Sequence, residues 1–263
     1  MAPAEGLRIG SRLSGKVAVI TGSSRGIGLA VARAFLSEGA QVVVNSRGPE
    51  RAEAVAAELG ENATGIAADV ATESGAVALI DAALKTRGRI DILVNNAGMT
   101  LARDTLDMSL EEWRRVIDLN MTAVFLCSQA AARSMREHGG GGCIINTASI
   151  QGFAAFPRRL AYGSTKAAVV MMTRILASEW APDIRVNAVA PGYVRTEMVE
   201  ALRDQGKIDL DAIAARTPQH RLAEPEELAP AYVFLASNDA RFVTGETIGV
   251  DGGWLAFGAY PGF

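Results

Sequence analysis

The chain has 263 residues, with 26 Lys+Arg against 29 Asp+Glu and a formal charge of −3. Apolar residues make up 49% and charged residues 21%, proportions that exclude a disordered or collagen-like chain and fit one large α/β domain or two small ones. The near-neutral balance leaves no basic footprint for nucleic acid, and no apolar run approaches the roughly 20 residues that cross a bilayer. Cys127 and Cys143 are too few for a disulfide framework. Both sit in apolar contexts, which points to buried thiols and a reducing, cytoplasmic setting. Residues 1–14 carry Arg8 and Arg12 with no apolar run behind them, and are expected to be a flexible arm rather than a secretory signal.

Taken in chain order, Lys16–Thr21 is β-rich, and Gly26–Glu38 then sets Ile27, Val31, Ala34 and Phe35 at helical spacing. Gln41–Ser46 reads as a strand, Glu50–Leu59 as an Ala-rich helix, and Thr64–Ala68 as a weaker strand before a helix near Glu73–Lys85. Strand Asp91–Asn95 precedes a long helical stretch, Leu110 to Glu137. Strand Cys143–Thr147, helix Tyr162–Trp180, strand Ile184–Ala190, helix Glu226–Ala236 and the short strand Thr247–Val250 complete the chain. Such β–α alternation with continuous apolar strands predicts a parallel sheet buried on both faces, with right-handed crossovers placing helices on each side. The segment Thr196–Pro225 breaks the rhythm. It is charged and poor in strand formers, and is expected to be a lid over a substrate.

After the first strand comes Thr21-Gly22-Ser23-Ser24-Arg25-Gly26-Ile27-Gly28. Glycines there let the backbone turn sharply and approach a pyrophosphate, while the following helix offers free N–H groups and a positive dipole end. The strand before and the helix after make this a dinucleotide-binding turn. In such folds an acidic residue at the end of the second strand holds the ribose 2′-hydroxyl. Here that strand ends Val44-Asn45-Ser46-Arg47, with no carboxylate. Arg47, with Arg25, is placed instead to hold a 2′-phosphate, which favours NADP(H) over NAD.

Tyr162 and Lys166 stand four residues apart at the start of a helix, on one face. A nearby ammonium favours the phenolate, so Lys166 is expected to lower the Tyr162 pKa and fit it for acid–base work. Ser149 lies 13 residues before Tyr162, just past strand Cys143–Thr147. That strand end and that helix start both face the ligand crevice of an open α/β sheet.

With these come Asp69, Asn95-Asn96-Ala97-Gly98, Asn120 and Pro191-Gly192. In order and spacing the set resembles the short-chain dehydrogenase/reductase family, from about Gly15 to Trp254. The stretch Arg221 to Pro225 and Val250-Asp251-Gly252-Gly253 is similar to the branch that holds 3-oxoacyl carrier-protein reductases. The resemblance implies a single Rossmann-type, doubly wound α/β domain over residues 15–254. Its centre would be a seven-stranded, mostly parallel sheet with helices on both faces, with the lid at 196–225 and a tail at 255–263.

The resemblance also implies roles. Tyr162 would be the general acid or base on the substrate oxygen. Lys166 would lower its pKa and bond the nicotinamide ribose, and Ser149 would polarise the carbonyl. Asn120 would hold a water in a proton relay to Lys166. Gly22, Ser24, Arg25, Gly26, Ile27 and Gly28 would cradle the phosphates, Ser46 and Arg47 the 2′ position, and Asp69 and Val70 the adenine. Asn95 and Gly98 would line the adenosine ribose and cofactor channel. Pro191, Gly192 and Val194 would pack on the nicotinamide, with Thr196 near the pyrophosphate and carboxamide.

The substrate walls are expected from Met99, Leu101, Ile150, Phe156, Tyr193 and Met198, a largely apolar set. Arg158 and Arg159 read as a solvated loop surface that could also meet an anionic substrate. The loop Trp180-Ala181-Pro182-Asp183 has no positive charge to dock an acidic carrier protein. His138 and His220 lack ligand spacing, so no metal is expected. The family resemblance implies a homotetramer, or a dimer, through helices Leu110–Glu137 and Tyr162–Trp180. The aromatic tail Trp254–Phe263 is expected to pack against a neighbouring subunit. The expected activity is hydride transfer between NADP(H) and a small-molecule ketone or secondary alcohol. The alternatives are an NAD-dependent dehydrogenase of a polyol or cyclic alcohol, and a non-catalytic dinucleotide-binding sensor.

Overall fold

The computed structural model describes residues 11–258. Seven strands form one sheet: β1 (Val17–Ile20), β2 (Gln41–Ser46), β3 (Ala63–Ala67), β4 (Ile92–Asn95), β5 (Gly142–Thr147), β6 (Ile184–Pro191) and β7 (Thr247–Val250). Their spatial order is β3-β2-β1-β4-β5-β6-β7. Every pairing among the described residues is parallel. Successive connections run outward in one direction from β1 to β3 and in the other from β4 to β7. The reversal between β1 and β4 opens a crevice at the carboxyl ends of the strands.

The apolar runs bury both faces because successive side chains alternate. Ala18 and Ile20 of β1 join one core with Val31 and Phe35 of α1 (Gly26–Ser37) and Leu228, Tyr232 and Leu235 of α9 (Pro225–Ala236). Val19 and Val43 face the other way, onto Leu79 and Ile80 of α3 (Glu73–Arg87) and Cys127, Ala131 and Met135 of α5 (Ala123–Glu137). Helix α2 (Pro49–Leu59) follows β2, and α6 (Leu160–Trp180) lies along β6, where Val169 and Val170 meet Ala188 and Ala190.

Two expectations about helices are corrected. Leu110–Glu137 is not one helix. α4 (Leu110–Ile117) starts at a capping box of Ser109 and Glu112, and a π turn at Asp118–Thr122 separates it from α5. The π turn is a single turn between two helical stretches, too short to stand out in the window over which a helical period is read. The lid segment is not irregular: it holds α7 (Glu197–Asp204), capped by Thr196, and α8 (Leu210–Arg216), capped by Asp209. Both are short, at eight and seven residues, less than the window over which a helical period is read.

The expected arm meets the body at its end, where Leu13 is buried and Arg12 bonds Glu38. Residues 1–10 and 259–263 lie outside the described residues, and with them most of the arm and half of the tail. The part of the tail that is described turns back on its own chain: Arg216 of α8 sits 4.8 Å from the Trp254 ring and 4.9 Å from that of Phe257.

Candidate active site

The turn after β1 is held by short polar groups. The Thr21 Oγ1 accepts from the backbone N–H of Asn96 and of Ala97, each at 2.9 Å. Ser23 Oγ donates to the Ile20 carbonyl at 2.6 Å and accepts from the Asn45 N–H at 3.0 Å. Asn45 Oδ1 accepts from the Gly22 N–H, while its amide donates to the carbonyls of Ile66 and Ala68. These knots tie β1, β2 and β3 together at the crevice. Gly22 and Gly26 have φ of 60° and 55°, which favours glycine. A Cβ at Gly28 would lie 2.5 Å from Asn96 Nδ2 and 2.7 Å from the Gly22 carbonyl oxygen. Helix α1 begins here with no side-chain cap and no acidic residue in its first turn. An anion therefore meets free N–H groups and the positive dipole end. The chain thus fits a pyrophosphate by shape and by charge.

On the other side of the crevice stand Ser149, Tyr162 and Lys166. β5 ends at Thr147, and Ser149 follows in extended backbone, its Oγ accepting from the Gln151 N–H at 3.1 Å. Tyr162 and Lys166 share a face of the opening turns of α6. Lys166 is buried; its Nζ donates to the Thr147 carbonyl at 2.7 Å and lies 5.6 Å from the centre of the Tyr162 ring. Burial pushes the lysine down to about 8. Burial also raises the Tyr162 phenol above its ordinary value, opposed by the Ser149 hydroxyl and by the charge of Arg159. The expected lowering of Tyr162 by Lys166 is therefore reversed, because desolvation of the phenolate outweighs its polar neighbours.

A crevice of about 800 Å³ joins the two sides, a size that suits a cofactor. It is lined by Gly22, Ser24, Arg25, Gly26, Ile27, Ser46, Arg47, Asp69, Val70, Gly98, Ser149, Tyr162, Lys166, Pro191, Gly192, Val194 and Thr196, and on the substrate side by Met99 and Met198. Other expected residues stand elsewhere. Gly28 supports the turn from behind. The Asn95 amide donates to Ser128 and Asn146 inside the fold. Ile150 is buried, and Leu101 does not line the crevice. Phe156 and Tyr193 pack against Trp254, with ring centres 6.1 and 5.2 Å apart.

Asn120, wholly buried in the π turn, is committed to the backbone of Met99: Oδ1 accepts from its N–H at 2.9 Å and Nδ2 donates to its carbonyl at 2.8 Å. Its side chain clamps the β4 loop. Among the lining groups that sequence reasoning missed are Arg115 of α4, Leu119 of the π turn, and Glu197, which pairs with Arg25 at 3.4 Å. The β1–β2 knot at Asn45 was legible only as a missing carboxylate. Among the described residues, no three His, Cys, Asp or Glu side chains gather as for a metal, and no helix is long and apolar enough to cross a membrane.

Comparison with known proteins agrees with this geometry. A family model described as enoyl-(acyl carrier protein) reductase matches residues 22–255. The chain belongs to the short-chain dehydrogenase/reductase family. It is 42% identical over 247 residues to the 2-dehydro-3-deoxy-D-gluconate 5-dehydrogenase of Escherichia coli, covering 93% of this chain and 97% of that one. An uncharacterized short-chain type dehydrogenase/reductase of Sinorhizobium fredii is 40% identical over 245 residues; the match takes in 92% of this chain and 44% of that longer protein. The crystal structure of a gluconate 5-dehydrogenase from Burkholderia cenocepacia, in complex with NADP and tartrate, superposes with a TM-score of 0.88 at 39% identity, covering 94% of this chain and 97% of the other. The protein is an oxidoreductase of this family.

Proposed function

We propose that the protein interconverts a ketone and a secondary alcohol with NADP(H), using Tyr162 as the acid or base on the substrate oxygen. The observation that carries the reading is the single crevice that runs from the glycine turn and the α1 N-terminus to Ser149, Tyr162 and Lys166. The backbone of Gly22 to Ile27 would hold the pyrophosphate and Asp69 and Val70 the adenine. Gly98, Pro191, Gly192, Val194 and Thr196 would border the nicotinamide half. Arg25 already has Glu197 as a partner. Arg47 has no acidic partner among the described residues, so with Ser46 it is the cation suited to a 2′-phosphate. When bound, the nicotinamide supplies or takes up the hydride.

The protein's own part is placement and proton handling. Ser149 donates a hydrogen bond to the substrate oxygen and stabilises the charge that develops there. A phenol raised by burial is protonated at neutral pH, so Tyr162 is ready to give its proton to that oxygen in the direction of reduction. Lys166, at about 8, is still mainly an ammonium at pH 7 and supports the phenolate left behind. Asn120 acts at one remove, by fixing Met99 at the crevice wall.

Exposed Phe125 of α5 and Met171 and Ile175 of α6 support assembly through these two helices, as a homotetramer or dimer. Cys127 and Cys143 lie in the cores on opposite faces of the sheet, an arrangement that suits free thiols and a cytoplasmic setting. The loop after α6 offers Asp183 and no cation, and Asp183 pairs with Arg136 at 3.6 Å. A free small substrate is favoured over a carrier-bound one.

The test follows NADPH absorbance over a panel of small ketones, sugars and acetoacetyl thioesters, with wild type and Tyr162→Phe. The variant should lose about 10²–10⁴-fold in kcat while NADP still raises its Tm. Substantial turnover by the variant would remove Tyr162 from the proton step.

A further inference from the structure

Beside the crevice, near Tyr162 and Tyr193, stands Arg159, a cation that forms no ion pair among the described residues. Arg159 immediately precedes α6, and its carbonyl accepts from the Gly163 N–H at 2.8 Å, so its Cα is fixed against the turn that carries Tyr162. Its guanidinium reaches across to the β4 loop, where Nη1 donates to the Thr100 Oγ1 at 3.1 Å. Thr100 is itself held in place, because both backbone polar groups of Met99 are clamped by Asn120. Arg159 is half-buried and forms no ion pair among the described residues. Its neighbours differ: Arg103 pairs with Glu112 at 3.6 Å, Arg25 with Glu197, and Arg158 is exposed. The charge of Arg159 also favours the ionised forms of both Tyr162 and Tyr193, so it lies near both phenols. The N-terminus of the 21-residue α6 adds to the positive field, with no side-chain cap and no acidic residue in its first turn.

A guanidinium has five N–H donors in a planar fork that matches a carboxylate. Here one donor meets a neutral hydroxyl, and the others are without a partner among the described residues. We infer that Arg159, aided by the Thr100 hydroxyl, reads a carboxylate on the substrate, which makes hydroxy acids and oxo acids the preferred class. This inference rests on the reaction proposed above and narrows its substrate. The carboxylate would sit at the mouth formed by Thr100 and Arg159, with the reacting carbon farther in at Ser149 and Tyr162.

The experiment compares acids with their methyl esters: acetoacetate and methyl acetoacetate, laevulinate and methyl laevulinate, D-gluconate and its methyl ester. Each pair is followed by NADPH consumption or NADP reduction with wild type, Arg159→Gln and Arg158→Gln. Wild type should favour the acid of a productive pair by at least tenfold in kcat/KM. Arg159→Gln should reduce that ratio to below threefold, mainly through KM, and Arg158→Gln should keep it. A second readout needs no turnover: calorimetric titration of the NADP-saturated enzyme with tartrate should show at least tenfold weaker binding in Arg159→Gln. A wild-type ratio near one, a ratio unchanged in Arg159→Gln, or equal tartrate affinity in both proteins would overturn the inference. If no pair is turned over, the proposed reaction fails, and tartrate affinity still decides for or against Arg159.

Discussion

The glycine turn and the lid border the same crevice, and they are built in opposite ways. Around the turn, Thr21, Ser23 and Asn45 are buried and hydrogen-bonded across three strands, and Gly22 and Gly28 leave no room for a side chain. In the lid, α7 buries no residue and α8 buries only Ile213. What ties α7 to the body is a set of exposed ion pairs, Arg25 with Glu197 and Arg195 with Glu200 and Glu224, while α8 rests on Ile213 and on Arg216 against Trp254 and Phe257. Close packing and buried polar networks make an element rigid. Few buried contacts and screened surface charges leave one that opens at low free-energy cost. The turn is a preformed cradle for a ligand common to many reactions, and we propose α7 as the part free to move over the substrate.

If that contrast holds, the largest effect comes from filling the cradle. Gly28→Ala sets a Cβ 2.5 Å from Asn96 Nδ2 and against backbone atoms of Gly22 and Ser23. The Asn96 amide, which donates to the carbonyls of Thr21 and Gly22 at 3.0 Å each, must yield. Overpacking together with weakened hydrogen bonds should cost about 2–4 kcal/mol in urea unfolding. NADP affinity should fall more than tenfold by titration. A variant as stable as wild type would mean that the cradle is pliable.

The next effect sharpens where the rigid region ends. Lys166 is buried with a pKa of about 8 against an ordinary 10.5. Between those values the unfolded chain binds the proton and the folded chain does not, so stability rises with pH across that window. The penalty is present in full below pH 8, at roughly 3 kcal/mol. Lys166→Met removes it and also the bond to the Thr147 carbonyl, worth about 1 kcal/mol. The variant should be about 2 kcal/mol more stable at pH 7, with turnover lost and with less of the rise that wild type shows from pH 8 to 10. Parallel stability–pH curves would show that Lys166 is not desolvated, and that the catalytic end is as open as the lid.

How far the sequence reveals these regions follows the same division. The sheet, the glycine turn and the Ser149, Tyr162 and Lys166 set were legible, because each joins a strong local pattern to a fixed place at the strand ends. Asn120 was legible as a position but not as a clamp, since its partner is the backbone of Met99, 21 residues away, and the π turn that carries it is too short to show in the pattern. Asn95 looks like a crevice residue by its place in Asn95-Asn96-Ala97-Gly98, yet it points inward to Ser128 and Asn146, a choice settled by neighbours 33 and 51 residues away. Phe156 and Tyr193 were read as substrate walls. Their partner is Trp254, a long-range contact that no local window contains.

The smallest effect on stability should come from the lid, and it is the most telling for function. Arg195 links Glu200 of α7 to Glu224 at the start of α9, while its backbone N–H donates to the Ala223 carbonyl beside the Val194–Ala223 bridge. Arg195→Ala leaves that backbone link in place and removes only two exposed ion pairs, so unfolding should change by less than about 1 kcal/mol. The substrate KM should still rise, roughly two- to fivefold with kcat nearly unchanged, because α7 loses one of its two ion-pair tethers, leaving that of Glu197 to Arg25. With an uncharged substrate, salt near 0.5 M should raise the wild-type KM toward that of the variant and move the variant's own KM less, since screening removes the same pairs. A loss of stability as large as that of Gly28→Ala would place the lid within the rigid body, and the contrast between the two walls of the crevice would then be wrong.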